Sequence, residues 1–356
     1  MAFVKLYKDR LRHNYLFLND LFKEYNIDWG VVSKLLCGNE LFIKELMNLN
    51  INEIHDSRIS NLKKVKELNP NVQTVYIKPP PKRSIPSIIR YADVSFNTES
   101  DTIELLSKEA VKQKKKHKII IMIEMGDLRE GVMGDDLVDF YGQIFKLPNI
   151  EVVGLGTNLN CLHGIMPSQD KLIQLGLYKQ IIEAKFNIKI PWVSGGTSVM
   201  IPLLYRKQLP KAVNHFRVGE TLFFGINLFT DKLIKGMKGG VFQLYTEIIE
   251  LTEKPVLPSG ELGTNPSGDK AEINPELYGK TSYRAIIDIG LLDIDPKFLI
   301  PKDKNISISG ASSDMIVIEL GKNPKNYKVG DLIAFELKYM GALAILNSYY
   351  IEKVVE

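Results

Sequence analysis

The residues able to do chemistry in this chain stand at the ends of apolar runs. WGVVSKLLCGN (29–39) is a β-like run that delivers one lysine, Lys34, at its end. By itself a lysine past a strand is an ordinary surface residue, and lysines are seldom buried without a partner or a task. SGGTS (194–198) supplies two glycines and the hydroxyls of Ser194, Thr197 and Ser198. RVGE (217–220) supplies Arg217 and the N–H groups of Gly219 and Glu220. Glycines let a ligand approach the backbone, and N–H groups opening a helix such as TSVMIPLLY form an anion site. EMGDLREG adds Arg129, and GTNLNCLHG adds Asn158, Cys161 and His163. An amine nucleophile facing an anion cradle suits covalent chemistry on a phosphate-bearing carbonyl compound.

Positioning these groups needs elements that end together. Eight short β-like runs occur before about residue 220, at 29–34, 52–57, 72–78, 93–97, 118–125, 152–158, 191–196 and 214–219. Most are continuous apolar runs, the pattern of buried parallel strands. Helix-period segments separate them, among them SRISNLKKVKEL, with Ser57 as a cap candidate, and TESDTIELLSKEAVKQ. This alternation predicts an α/β chain with a (β/α)₈ TIM barrel, whose chemistry sits where strands end and whose phosphate site follows strands seven and eight. From about residue 230 the pattern changes to β-branched alternation in QLYTEIIEL, YRAIIDIGL, NISISGASSDMIVIEL and DLIAFELKYMGALAIL, with a polar Gly/Pro loop at 258–279. The expectation is a barrel over 8–229 and a C-terminal all-β domain over 230–356, to which residues 2–7 add a strand.

Lysine at strand one and a phosphate cradle across the barrel mouth fit pyridoxal 5′-phosphate, whose aldehyde forms a Schiff base with a lysine amine. Arg217 would face the pyridine nitrogen. Arginine only donates hydrogen bonds, so that nitrogen would accept one and carry no proton. Arg129 would donate to the phenolate oxygen beside the imine.

Composition narrows the rest. The 356 residues carry a net charge of +4 with 45% hydrophobic and 25% charged residues, an ordinary globular balance. The basic run KQKKKHK (112–118) has no interleaved aromatics and reads as a solvated helix end, not a nucleic-acid surface. Two cysteines, Cys37 and Cys161, exclude a disulfide framework and suit a reducing compartment. No apolar stretch would span a bilayer, so the reading is a cytoplasmic protein without nucleic-acid or membrane partners. Residues 230–356 contain no histidine or cysteine, which counts against a metal-dependent lyase, and no metal is expected.

The stretches VVSKLLCGN, DSRISNLKKVKEL, MGDLREG, GLGTNLNC, VSGGTS, FRVGE, GASSD and KVGD resemble the alanine-racemase-like, fold-type III pyridoxal-phosphate enzymes, and most of all their ornithine racemase branch. The resemblance implies a homodimer with shared active sites and Lys34 as the Schiff-base lysine. It implies Arg129 at the phenolate oxygen with Asn158 behind it, Arg217 at the pyridine nitrogen, and Ser194, Thr197, Ser198, Gly219 and Glu220 around the phosphate. Asp314, in GASSDM, would reach the substrate carboxylate from the partner subunit. One departure stands out: Leu291 occupies the place where alanine racemases have a tyrosine as second base. Candidates to replace it are Cys161, His163, Cys37 and Tyr339, with Cys161 preferred because it follows Asn158 closely and thiols exchange protons readily. The implied activity is racemisation of an amino acid by α-proton abstraction, with ornithine or lysine as substrate and Asp56, Asp127, Glu130 or Asp293 open to receive a side-chain ammonium. The rival readings are a lyase or decarboxylase on the same scaffold, and a non-catalytic cofactor carrier.

Overall fold

Apolar runs buried on both faces pair in parallel, because helices must cover each side. The computed structural model describes residues 2–264 and 273–356. The chain opens with β1 (Phe3–Leu6) and α1 (Lys8–Glu24). Strands then alternate with helices: β2 (Asp28–Val32), α2 (Glu40–Met47), β3 (Glu53–Asp56), α3 (Ile59–Leu68), β4 (Gln73–Tyr76), α4 (Ile85–Tyr91) and β5 (Val94–Asn97). After α5 (Ser100–Lys112) come β6 (His117–Met122), α6 (Leu137–Ile144), β7 (Ile150–Gly156), α7 (Gln169–Phe186), β8 (Trp192–Ser194) and β9 (Gly196–Thr197). The series ends with α8 (Ile201–Tyr205), β10 (His215–Val218) and α9 (Glu220–Phe224).

The strand order is β8-β7-β6-β5-β4-β3-β2-β10-β9, all parallel. β8 pairs with β7, and β9 resumes after Gly195 to pair with β10. One segment thus bridges both edges, and the sheet closes into the expected barrel. All eight expected runs contain a barrel strand. The first is shorter than expected: it stops at Val32, and Lys34 lies beyond it.

Side chains alternate across a strand, so residues two apart share a face. Val75, Val94, Phe96, Ile120 and Met122 form an apolar cluster on the inner face of β4, β5 and β6. The same face of β3 and β10 carries Glu53, His55, His215 and Arg217, all buried. His55 meets the Phe96 ring edge-on, and the Arg217 guanidinium lies 5.3 Å from that ring. One side of the interior is therefore hydrocarbon and another polar. Two glycines make the packing feasible. A Cβ at Gly196 would overlap the Phe216 ring, and one at Gly30 would overlap the His55 ring and lie 2.8 Å from Glu53 Oε1.

Contacts divide the chain into two compact units, Tyr7–Val241, and Met1–Leu6 with Phe242–Glu356. The first unit also holds a small hairpin, β11 (Ile226–Asn227) with β12 (Lys232–Leu233). In the second, β13 (Phe242–Pro255), β14 (Thr281–Ile287), β15 (Leu299–Pro301), β16 (Ser307–Ala311), β17 (Ile316–Gly321) and β18 (Leu332–Leu337) form one sheet in the order β15-β18-β13-β14-β17-β16. β1 lies antiparallel to β13 and parallel to β19 (Glu352–Val355). One expected strand is half helix: Tyr339–Asn347 forms α10. Its Met, Ala and Leu residues favour a helix over the β-branched types of a strand. Gly341, Ala342, Ile345 and Leu346 are its buried positions, at helical spacing. Part of the Gly/Pro loop expected at 258–279, residues 265–272, lies outside the described residues. Ser57 does not cap α3; the N-cap is Arg58, whose N–H is accepted by Asp56 Oδ1 at 2.8 Å.

Gly196→Ala should force the Phe216 ring out of its place. We expect a loss of roughly 1–3 kcal/mol in unfolding free energy, the usual cost of overpacking a core, read from the urea midpoint at constant m value.

Candidate active site

The seat of Lys34 is built from buried polar groups. After Val32 the chain enters a 3₁₀ turn, Lys34–Leu36, closed by Cys37 at φ 50° and Gly38 at φ 72°. Ser33 Oγ donates to Asp56 Oδ2 at 2.8 Å, and Asn61 Nδ2 donates to Asp56 Oδ1 at 3.1 Å. Burial pushes the Asp56 carboxyl up, with the hydrogen bonds from Arg58, Ser33 and Asn61 opposing. Lys34 itself is exposed, and no ion pair or hydrogen bond holds its amine among the described residues. Nearby Glu220 is pushed up by burial and drawn back by the Lys34 charge. The ends of β2, β9 and β10 are stitched together around this point. A Cβ at Gly219 would lie 3.0 Å from Val32 O, and Ser198 Oγ accepts from Thr221 N at 3.2 Å.

Arg217 lies in the barrel interior on β10. Its Nη1 donates to Ser194 O at 2.5 Å and Ser194 Oγ at 2.7 Å, and its Nη2 to Thr157 O at 2.7 Å. These acceptors are all uncharged, and no carboxylate pairs with the guanidinium among the described residues. Burial pushes its pKa down to about 10, with Glu130 and Cys161 opposing and Arg129 reinforcing the fall. Behind it, His215 Nδ1 is 2.7 Å from Ser194 Oγ and His215 Nε2 is 2.8 Å from Glu53 Oε1. His55 Nε2 shares that same oxygen, and Gln73 Nε2 donates to Glu53 Oε2. Burial alone would raise the Glu53 carboxyl; the two imidazoles, His215 foremost, outweigh it and hold it down.

A third group sits on loops. Arg129 bonds Glu130 through Nε and Nη2. One end of the Asn158 amide faces Arg129 and lies 3.2 Å from Cys161 Sγ. With oxygen at that end it accepts from Arg129 Nη1 at 3.2 Å and from Nη2, the orientation those donors require. Cys161 is exposed and within electrostatic reach of both Arg129 and Arg217. Asp127 shapes this loop. Its carboxylate accepts from the N–H groups of Cys161 (3.2 Å), Leu162 (2.8 Å), His163 (3.2 Å) and Ile165 (3.3 Å). Burial would raise Asp127, but these four donors prevail and hold it below the usual carboxylate range. His163 Nδ1 donates to Asp127 O at 2.8 Å.

The structure thus brings Lys34 together with Gly219 and Glu220, Ser194 with Arg217, and Arg129 with Asn158 and Cys161. The Ser194 hydroxyl is engaged inside the barrel: it accepts from Arg217 Nη1 and lies 2.7 Å from His215 Nδ1. In the second unit, Leu291 N donates to Ser312 O at 3.0 Å and Leu292 N to Ser313 O at 2.8 Å, so Leu291 and Asp314 share one exposed edge. Cys37 closes the turn after Lys34, and Tyr339 opens α10. Three of the acidic residues considered for a substrate ammonium are occupied: Asp56 by Ser33, Asp127 by its loop and Glu130 by Arg129. Asp293 accepts from Ser348 Oγ at 3.0 Å. Sequence reading missed Glu53, His55 and His215. The signal was there: in NEIHDS and NHFRVG polar residues recur at spacing two inside otherwise strand-like runs.

Asp127→Ala leaves four backbone N–H groups unpaired, and we expect a cost of roughly 2 kcal/mol. Cys161 alkylation and amide exchange over 161–165 should accelerate. Because the native carboxyl is held low, its stabilisation is present above the unfolded carboxylate pKa and fades as pH falls through the native value. The melting-temperature gap between wild type and Asp127→Asn should therefore be full at neutral pH and close in acid.

The chain matches the alanine racemase N-terminal domain over residues 7–227. It is 37% identical to the ornithine racemase of Acetoanaerobium sticklandii over 346 residues, 97% of each chain. It is 30% identical to the lysine racemase of Thermotoga maritima over 325 residues, 91% of this chain and 90% of the other. Its fold is similar to that of the alanine racemase from Bartonella henselae with covalently bound pyridoxal phosphate, with a TM-score of 0.76 at 15% identity, covering 100% of this chain and 99% of that one. With the match spanning every strand of the barrel, the chain belongs to the alanine racemase N-terminal domain family.

Proposed function

We propose that the protein is a pyridoxal-phosphate-dependent amino-acid racemase, an isomerase, acting on a basic amino acid, ornithine or lysine. The observation that carries the reading is that two paired strands, β2 and β10, lead to an exposed amine at Lys34 and carry a buried cation, Arg217, held among the described residues by uncharged acceptors. That donor set fits a ligand with a carbonyl for the amine and an electron pair for the guanidinium. The identity to an ornithine and a lysine racemase supports the substrate class.

Bound pyridoxal phosphate supplies an electron sink that acidifies the α-proton of an attached amino acid. Lys34 holds the cofactor and, once displaced, takes the α-proton on Nζ from one face. Arg217 donates toward the pyridine nitrogen, and Arg129, oriented by Asn158, toward the phenolate oxygen. Thr197 and the N–H groups of Ser198, Gly219 and Glu220 receive the phosphate. Cys161 Sγ returns a proton on the opposite face. Its contact of 3.2 Å with the Asn158 amide end that faces Arg129 supports this role over His163, Cys37 and Tyr339.

Two cysteines, neither in a disulfide, support a reducing, cytoplasmic location. The exposed edge carrying Leu291, Leu292 and Asp314 supports a homodimer in which Asp314 serves the partner's substrate, and light scattering at two concentrations tests the mass.

Cofactor-loaded protein is incubated separately with L-ornithine, L-lysine and L-alanine, and the products are resolved on a chiral column. D-ornithine or D-lysine is expected; substrate that stays entirely L beside an intact imine absorbance would sink the racemase reading. Lys34→Ala should abolish that absorbance. Cys161→Ala should lower racemisation by roughly 10²–10⁴-fold, the usual contribution of a positioned acid or base. Exchange of the α-proton with deuterated solvent should persist from one enantiomer and vanish from the other.

A further inference from the structure

The cluster inside the barrel beneath Arg217 is not used by the chemistry above. Glu53, His55, His215 and Ser194 are buried, and with His215 neutral their contacts have one sense. A guanidinium only donates, so Ser194 Oγ accepts from Arg217 Nη1 at 2.7 Å. The serine hydrogen is then free for His215 Nδ1, 2.7 Å away. A carboxylate only accepts, so His215 Nε2 carries the hydrogen that reaches Glu53 Oε1 at 2.8 Å. Every bond runs the same way, from Arg217 through Ser194 and His215 to Glu53. Such chains polarise one another in a low dielectric.

We propose that Glu53, His215 and Ser194 are positioning residues: a buried relay that fixes Arg217 as a cation and thereby keeps the proton off the cofactor's pyridine nitrogen. This rests on the pyridoxal-phosphate reading of the site. The physical reason is charge balance at a distance. A buried cation needs a counter-charge. A carboxylate placed directly on Arg217 would occupy the donors that must face the ligand. The relay instead puts the negative charge two groups away, on the far side of the guanidinium. His55 and Gln73 complete the Glu53 carboxylate, so it has no call on Arg217 itself. Gly30 belongs to the same device, since a side chain there would overlap His55 and crowd Glu53. His215 is also clamped between the relay and the Trp192 ring, stacked at 4.6 Å.

The test compares Ser194→Ala, His215→Asn and Glu53→Gln with a matched control, Ser95→Ala. Ser95 makes a similar buried serine–histidine bond, Oγ to His117 Nε2 at 2.8 Å, on the opposite face of the sheet. Holoenzyme is prepared with cofactor labelled with ¹⁵N in the pyridine ring, and the nitrogen shift is read beside kcat and cofactor affinity. In wild type and Ser95→Ala the shift should be that of an unprotonated pyridine. In the three relay variants it should move toward the protonated value, and kcat should fall by roughly tenfold or more, what one charge-assisted hydrogen bond is worth. Unchanged shifts in the relay variants, or equal losses in Ser95→Ala, would overturn the proposal. A second readout does not depend on the cofactor. In cofactor-free protein the His215 ring nitrogens should report hydrogen on Nε2 alone, and Ser194→Ala should move the Nδ1 signal. Wild-type protein that gives this His215 pattern but never captures the labelled cofactor would remove the pyridoxal-phosphate reading and, with it, the role assigned to the relay.

Discussion

A positive charge buried inside a barrel is the constraint around which this unit is organised. Taking a guanidinium out of water costs several kcal/mol unless its donors are satisfied and its charge is answered. Arg217 meets the first demand with Ser194 and Thr157, and the second through His215 and Glu53. Much of the local sequence follows from that. Glu53 and His55 must stand two apart on β3, and His215 and Arg217 two apart on β10, because only alternate residues face inward. Gly30 on β2 must lack a side chain, because the space beside it belongs to His55 and Glu53. The apolar cluster of Val75, Val94, Phe96, Ile120 and Met122 fills another side and gives Arg217 the face of Phe96.

The two sides of the site are held by different means. Arg217 stands on a strand backed by Glu53 below His215, and the turn that carries Lys34 is anchored at Ser33 by the buried Asp56. Arg129, Asn158 and Cys161 stand on loops, and one carboxylate, Asp127, ties their backbone in place. In all three cases the acid bonds supporting groups, a neighbouring side chain or the loop backbone, and not the side chain of the proposed site residue. Sequence inspection marked Asp56 and Asp127 as open acids able to greet a substrate ammonium. Their depth and their several donors turn both into supports.

The barrel was legible because its signal repeats: eight short apolar runs, each followed by a helical period, leave few other architectures. Residues at strand ends were legible for the same reason, since the fold says where strands end. Three features were not. The hydroxyl of Ser194 read as part of an anion cradle, because SGGTS lies in the right loop; which way one side chain turns depends on the His215 and Arg217 that reach it from another strand. The helix α10 read as strand, because DLIAFELKYMGALAIL is mostly apolar and its period changes only at Tyr339. Gly195 and Gly196 also read as openings for a ligand, whereas Gly196 makes room for Phe216 and Gly195 packs against Leu175, Val213 and Leu172.

The departure at Leu291 and the placement of Cys161 belong together in physical terms. A leucine carries no exchangeable proton, so the racemase proposed above, with Leu291 at an exposed edge, needs its second acid elsewhere. A loop that gains Cys161 must hold the thiol steady, since proton transfer falls off sharply with misplacement. Asp127 meets that need by fixing the backbone at Cys161, Leu162, His163 and Ile165 together, and Asn158 joins the thiol to Arg129. In the proposed site the acid thus moves from one unit of the chain into the barrel. What makes that transfer workable is the Asp127 carboxylate, which gathers four backbone N–H groups of the loop onto one buried group.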